Sequence, residues 1–327
     1  MTTSTSRVFP PDGEAAVLRV VIALGGNALT APDGSARPQD QQWAVEQTMP
    51  HVAAMVAAGH QVVLTHGNGP QVGNLLVKNE LAAAVVPPVP LDWCDAQTQG
   101  TIGALILNAL GRSLTERGMP DKVAALVSRT LVETSDPAFA DPTKPIGRYL
   151  PRAEAEVMIE HGQVWQDRGA RGWRRVVASP QPRACLDAEA ARVLIEAGFV
   201  VTSGGGGGIP VVADGRGGYQ GVEAVVDKDF SSALLAEALE ADTLIIATDV
   251  DAVVLGWETP EARPLGVVTV AEMRGYAAAG MFASGSMLPK VEAACLFAGS
   301  GRGFAVITSL GRIEEALAGK AGTIVTA

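Results

Sequence analysis

The stretch Gly198–Asp229, GFVVTSGGGGGIPVVADGRGGYQGVEAVVDKD, decides how the rest of the chain is read. Phe199–Thr202 is a short apolar, β-branched run, the pattern of a buried strand. Five glycines, Gly204–Gly208, follow almost at once. A glycine run at a strand's end bares backbone N–H groups to a small anion, with no side chain in the way, and Gly205 and Gly206 stand at its centre. Val222–Val226 reads as a second strand that delivers Asp227, Lys228 and Asp229 together, and Ser231–Leu239 reads as a helix. An Asp–Lys–Asp trio beside a glycine loop suits phosphate chemistry. The other reading, a flexible linker beside a solvated charge cluster, fits less well, because apolar sequence resumes at Ile209 and linkers stay polar.

Outward from this stretch the same grammar repeats. Leu18–Leu24 (LRVVIAL) reads as a strand running into Gly25-Gly26-Asn27, and Gln61–Thr65 as one running into His66-Gly67-Asn68-Gly69-Pro70. Asp40–Ala58 has helical spacing with Gly59 as its stop, and Pro70 is suited to start the next helix. Each loop places N–H groups at a helix start, where the helix dipole also favours an anion. Asp95–Leu110 reads as a helix whose broad apolar face is either core or a dimer interface. Val123–Leu131, Leu244–Ala247 and Phe304–Thr308 read as strands, and Gly322–Thr326 as a short edge strand. Between Val132 and Arg175, aromatics, prolines and charges concentrate, which marks an excursion from the sheet.

Alternating apolar strands and helices imply a mainly parallel sheet covered on both faces, a three-layer αβα sandwich. Ligands to such sheets bind at the strands' carboxyl ends, so the glycine loops, the Asp227–Asp229 trio and the Thr248–Asp251 turn are expected on one rim.

Composition narrows the function. The 327 residues are 47% hydrophobic and 18% charged, with a formal net charge of −10. No basic run points to nucleic acid, and no stretch approaches the ~18 apolar residues of a membrane helix. Residues 1–17 read as a loose tail without a signal peptide's apolar core. Cys94, Cys185 and Cys295 show no metal-ligand spacing and read as core residues of a reduced, cytoplasmic protein, so no protein-held metal is expected. Gly319-Lys320 lacks the Ser or Thr of a Walker loop, and Gly67-Asn68-Gly69 only partly mimics a dinucleotide fingerprint. His66 is closest to the rim but has no nucleophile partner, and reads as structural.

With these residues assembled, the chain resembles the carbamate kinases of the amino-acid kinase superfamily. The matching segments are VVIALGGNAL, LTHGNGPQVGNLL, PLDWCDAQTQGTIG, DPTKPIG, RGWRRVVASP, SGGGGGIPVV, GVEAVVDKDFSSALLA, FASGSMLPKVEAA and AVITSL, in one order along most of residues 20–310. The resemblance implies a single kinase domain over 18–327 with a protruding subdomain at about 130–175. It implies reversible phosphoryl transfer between ATP with carbamate and ADP with carbamoyl phosphate, making ATP in arginine, agmatine or related nitrogen catabolism. Lys228 and Lys290 would contact phosphates, Asp229 would position them, and Lys144 would reach over from the subdomain. Gly25, Gly26, Asn27, Gly67 and Asn68 would donate to the transferring group and to carbamate. Asp227, Thr248, Asp249, Val250, Met287 and Pro289 would border the nucleotide, with Mg²⁺ held by its phosphates. A homodimer is implied too. Asp249 stands where carbamate kinases often have a small residue. An acetylglutamate-type kinase would carry a lysine near the first glycine loop, where this chain has Ala23. A non-catalytic sensor would have lost one of Lys144, Lys228, Asp229 or Lys290.

Overall fold

A computed structural model describes residues 17–30, 37–257, 259, 261–283 and 285–327, except the Asn27 side chain; most of the expected tail lies outside them. The organising sheet has eight strands: β1 (Arg19–Leu24), β2 (Gln61–His66), β3 (Val123–Ala125), β4 (Val200–Thr202), β5 (Thr243–Thr248), β6 (Val267–Thr269), β7 (Phe304–Ser309) and β8 (Thr323–Thr326). Their spatial order is β6-β8-β7-β5-β1-β2-β4-β3. All neighbours pair in parallel except β7 with β8.

Period-two alternation along β1 explains the layers. Val21 and Ala23 face one core with Val63, Val201, Leu244 and Ile246, against α4 (Ala188–Glu196), α5 (Lys228–Ala238) and α6 (Met287–Gly299). Val20, Ile22 and Leu24 face the other core with Val62, Leu64 and Ile245, against α1 (Pro38–Ala57) and α3 (Leu91–Thr115). Because both faces are covered, the strands read as continuous apolar runs rather than alternating ones. The sheet is therefore the middle layer of an αβα sandwich, as expected. The switch point lies at β1, whose neighbours β2 and β5 carry the chain off in opposite directions, and the carboxyl ends of β1, β2, β4 and β5 open on one rim.

Three local expectations change, and one alternative left open is decided. Val123–Leu131 is two strands: β3 in the main sheet, and Arg129–Leu131 in a four-stranded sheet with Ile209–Ala213, Tyr219–Gly221 and Ala184–Cys185. Ser128 sits at the break, its N–H on Gln99 Oε1 at 2.8 Å and its Oγ accepting from Gly204 N at 2.7 Å. Val222–Val226 is not a strand; it makes one isolated bridge, Ala178 to Ala224. Glu223 is tied instead to Leu91 N, at 2.8 Å, and to Arg175. β8 is not an edge strand but lies between β6 and β7, with Thr323, Ile324 and Val325 buried. The apolar face of α3 is core: Ile102, Ile106 and Leu110 are fully buried within the subunit. Its small Gly103 lets the helix approach Ala125 of β3, where a Cβ would come within 2.9 Å.

The excursion is a three-stranded antiparallel sheet of Lys144–Leu150, Trp165–Asp167 and Trp173–Val177. It has its own small core of Leu150, Ala155, Met158 and Trp165. It rests on α2 (Gly69–Ala82) through Ile146 against Val72 and Leu76, and through an Arg148 Nε to Glu80 Oε2 contact of 2.7 Å.

Candidate active site

The rim carries a cavity of about 720 Å³ with Gly26, Gly67, Asn68, Gly206, Asp227 and Lys228 on one side and Lys144, Arg148 and Arg174 on the other. A second cavity of about 260 Å³ is lined by Thr248, Asp249, Val250, Trp257, Phe282, Met287 and Lys290. Three side chains join them. Asp227 caps α5 by accepting from Asp229 N at 2.9 Å, which turns the helix's first residues toward the rim. Asp229 then accepts from Lys228 Nζ on one oxygen and from Lys290 Nζ, at 2.9 Å, on the other. Lys228 lines the first cavity and Lys290 the second.

The electrostatics follow from that bridge. Burial pushes the Asp229 carboxyl up, but the two ammonium groups more than offset it and hold it below the usual range. Burial pushes Lys228 down, Asp229 pulls it back up, and Lys290 pushes down again; the net shift is downward. One carboxylate thus keeps two mutually repelling cations beside the rim.

The glycine loops serve shape as well as donation. A Cβ on Gly25 would sit 2.7 Å from the Ala247 carbonyl, so only glycine lets the loop after β1 lie against β5. Gly206 has φ of +71°, and a Cβ there would overlap the Asn68 amide. Within the run, the N–H groups of Gly204, Gly207 and Gly208 bond to Ser128 Oγ and to the Gly204 and Gly205 carbonyls. Gly206 reaches the cavity, while Gly205 packs under His66. His66 is fully buried, its Nδ1 donates to the Gly67 carbonyl at 2.9 Å, and burial lowers its pKa to about 4, so it stays neutral.

Of the residues singled out in the sequence, Gly26, Gly67, Asn68, Gly206, Lys144, Asp227 and Lys228 line the first cavity. Thr248, Asp249, Val250, Met287 and Lys290 line the second. Pro289 lies in the first turn of α6 without lining it. The Asn27 side chain lies outside the described residues. Lys144 is exposed at the start of its strand and makes no ion pair among the described residues. Sequence reading missed Arg148, Arg174, Asp95, Trp257 and Phe282. Trp257 carried a signal, since an exposed aromatic in a polar loop (GWETPEAR) has no core to fill.

Comparison with known proteins agrees with this geometry. The model of the amino acid kinase family matches residues 18–309. Carbamate kinase 1 of Enterococcus faecium is 44% identical over 311 residues, which cover 94% of this chain and 99% of that one. The carbamate kinase of Pyrococcus furiosus is 43% identical over 308 residues, covering 93% and 98%. The solved structure of the carbamate kinase from Giardia lamblia bound to AMP-PNP matches with a TM-score of 0.90 at 37% identity, covering 95% of this chain and 99% of that one. A mainly parallel sheet with its switch point at β1, two cavities joined by a lysine–aspartate–lysine bridge, and near full-length similarity lead to one conclusion: the chain belongs to the amino acid kinase family, among its carbamate kinases.

Proposed function

We propose that this protein transfers a phosphoryl group reversibly between ATP with carbamate and ADP with carbamoyl phosphate, working chiefly toward ATP. The observation that carries the proposal is the Lys228–Asp229–Lys290 bridge between the glycine-lined cavity under Lys144 and an aromatic-walled cavity at the end of β5. The smaller cavity takes the nucleotide, with Trp257 and Phe282 against the base. The larger takes the carbamoyl end.

Carbamate is already an anion, so its attacking oxygen needs no base, in keeping with a neutral, buried His66. Catalysis is then alignment and charge neutralisation. Lys228 and Lys290 flank the transferring group from the sandwich, and Lys144 approaches from the three-stranded sheet. The first turn of α2, which lines the larger cavity, offers N–H groups to anionic oxygens. No cluster of three metal-ligating side chains occurs among the described residues, and both Asp229 oxygens are committed to lysines. The residues therefore suit a Mg²⁺ brought on the nucleotide's phosphates, with the Asp227 carboxylate beside it. When bound, the ion neutralises charge on the outer phosphates.

The reading includes one catalytic domain from residue 18 onward, a cytoplasmic location and a homodimer. Among the described residues no helix is long and apolar enough to cross a membrane. With the α3 face used internally, the dimer rests on the family and on exposed Trp43 and Trp93. Light scattering that gives a monomer mass at micromolar protein would refute it. The activity is tested by ATP formation from ADP, Mg²⁺ and carbamoyl phosphate, with acetyl phosphate and acetylglutamyl phosphate as rival donors. No turnover, or faster turnover with a rival, would overturn the assignment.

A further inference from the structure

Asn68 is the N-cap of α2, and asparagine is a preferred capping residue, yet its side chain makes no cap bond. The amide nitrogen is spent elsewhere. Nδ2 donates to Asp95 Oδ1 at 2.8 Å and to Thr98 Oγ1 at 2.9 Å, one turn apart on α3. Thr98 in turn donates its hydroxyl to the Asp95 carbonyl at 2.8 Å, which leaves its oxygen free to accept from Asn68. All three residues are buried, and both Asn68 and Asp95 line the larger cavity. The clamp fixes which way the amide faces, because reversing it would set Asn68 Oδ1 against the Thr98 oxygen, whose proton is committed to the Asp95 carbonyl. Among the described residues no donor reaches Asn68 Oδ1. Two things are therefore left for a ligand: one amide oxygen, and the Gln71 N–H that an ordinary asparagine cap would have occupied, Pro70 having none.

We infer that Asp95 is a positioning residue for the amino group of the substrate: by holding the Asn68 amide nitrogen, it presents Asn68 Oδ1 as the acceptor that tells a carbamoyl group from an acetyl group. The inference rests on the carbamate reading and deepens it. Carbamoyl phosphate and acetyl phosphate have nearly the same shape and differ by NH₂ against CH₃. An anion-binding pocket made only of N–H groups and lysines grips the phosphoryl and carbonyl oxygens of both alike. Discrimination needs an acceptor facing the NH₂. A methyl group would leave that acceptor desolvated and unpaired, which is how a polar site rejects an analogue that lacks the donor.

The test compares ATP formation from ADP with each donor in wild type, Asp95→Val, Asp95→Asn and Thr98→Val, with melting curves for all four. Asp95→Val removes the clamp's main acceptor. The ratio of kcat/KM for carbamoyl phosphate over acetyl phosphate should fall by about tenfold, the equivalent of one hydrogen bond. The loss should appear in the KM for carbamoyl phosphate, with the KM for ADP unchanged. Asp95→Asn keeps an oxygen that can accept from Asn68 and should restore most of the ratio; Thr98→Val should lower it less than Asp95→Val does. An unchanged ratio in a folded Asp95→Val overturns the inference, as does an Asp95→Asn that falls as far. Should Asp95→Val fail to fold, an unchanged ratio in Thr98→Val overturns it and a lowered one supports it. Wild-type protein that makes no ATP from carbamoyl phosphate overturns the proposed activity itself, a result visible before any variant is compared.

Discussion

Two buried carboxylates sit on helices that line the same cavity, and their surroundings drive them in opposite directions. Asp229, at the start of α5, has two lysines within hydrogen-bond reach and is held ionised, below the usual carboxylate range. Asp95, on α3, meets only an amide. Burial raises its pKa to about 7, the Asn68 bond opposes this, and the charges of Asp92 and Glu223 add to it. Both are surrounded by protein; the difference lies in the counter-charge. A buried carboxylate with two cations keeps its charge and aims those cations at the ligand. One without a cation sheds its charge near neutrality and acts through its oxygens as a hydrogen-bond acceptor. The second arrangement also spares an anionic substrate a negative neighbour.

The largest expected effect lies on the charged side. Asp229→Asn keeps the shape and removes the counter-ion, leaving Lys228 and Lys290 to repel each other. Turnover should fall by about 10³-fold, the upper end for losing an oriented transition-state donor, with a stability loss on the order of 3 kcal/mol. Near-normal kcat with an intact melting curve would break the contrast and move the organising role to Asp227. Next comes Lys144→Ala. This lysine faces the same cavity but is exposed and unpaired among the described residues, so its loss should cost about 10²-fold in kcat and little stability. ADP binding, proposed for the other cavity, should barely change when measured by calorimetry. Unchanged kcat would make Lys144 an ordinary surface lysine, and lost ADP binding would place it with the nucleotide.

How much of this the sequence discloses depends on the range of the contacts involved. β1, β2, β5 and β7 are legible because strands covered on both faces must be apolar along their length, and each ends in a loop whose composition marks it. The Asp227–Asp229 trio is legible because its cap, its bridge and its helix start are local. Val222–Val226 misleads because its apolar side chains are buried or half-buried without a ladder. Arg175, 48 residues away in sequence, holds Glu223 out of one. β8 looks like an edge because its neighbour β6 lies far back in the chain and is only three residues long. Asp95 had a signal that went unused. Asp95, Thr98, Gln99 and Ile102 fall at i, i+3, i+4 and i+7, so the polar residues extend the buried apolar stripe of α3 rather than its wet face.

A smaller effect concerns how the three-stranded sheet is held over the cavity. Glu80 on α2 is nearly buried, and Arg148 of the sheet pairs with it, with Glu154 3.8 Å away on the other side. Glu80→Gln keeps the shape and weakens the pair. Partly exposed pairs contribute up to about 1 kcal/mol, so kcat should fall by about two- to fivefold if docking of the sheet aims Lys144. A fall as deep as that of Lys144→Ala would mean that docking, not the ammonium itself, controls the step. No change would mean that Ile146 against Leu76 suffices.

The last effect is the smallest on turnover and bears most directly on the contrast between the two carboxylates. Asp95 has a folded pKa of about 7 against an ordinary aspartate value of 3.8. Between those values the folded protein holds a proton at this site that the unfolded chain has released. Stability changes with pH in proportion to protons bound unfolded minus folded, so the Asp95 contribution falls as pH rises from about 4 to about 7 and is flat on either side. At about 1.4 kcal/mol per pKa unit, the loss across the window is on the order of a few kcal/mol. Asp229 has the opposite sign: its contribution is present above the unfolded value and is lost as pH falls through its lowered folded value. Asp95→Asn cannot ionise, so its melting temperature minus that of wild type should grow as pH is raised from 5 to 7 and then level off. All other titrating groups are common to both proteins and largely cancel in the difference. A difference that stays constant with pH would mean that Asp95 titrates as an ordinary carboxylate. One that instead shrinks as pH is raised toward about 4, below that window, would mean that an unrecognised cation holds it charged, as the lysines hold Asp229.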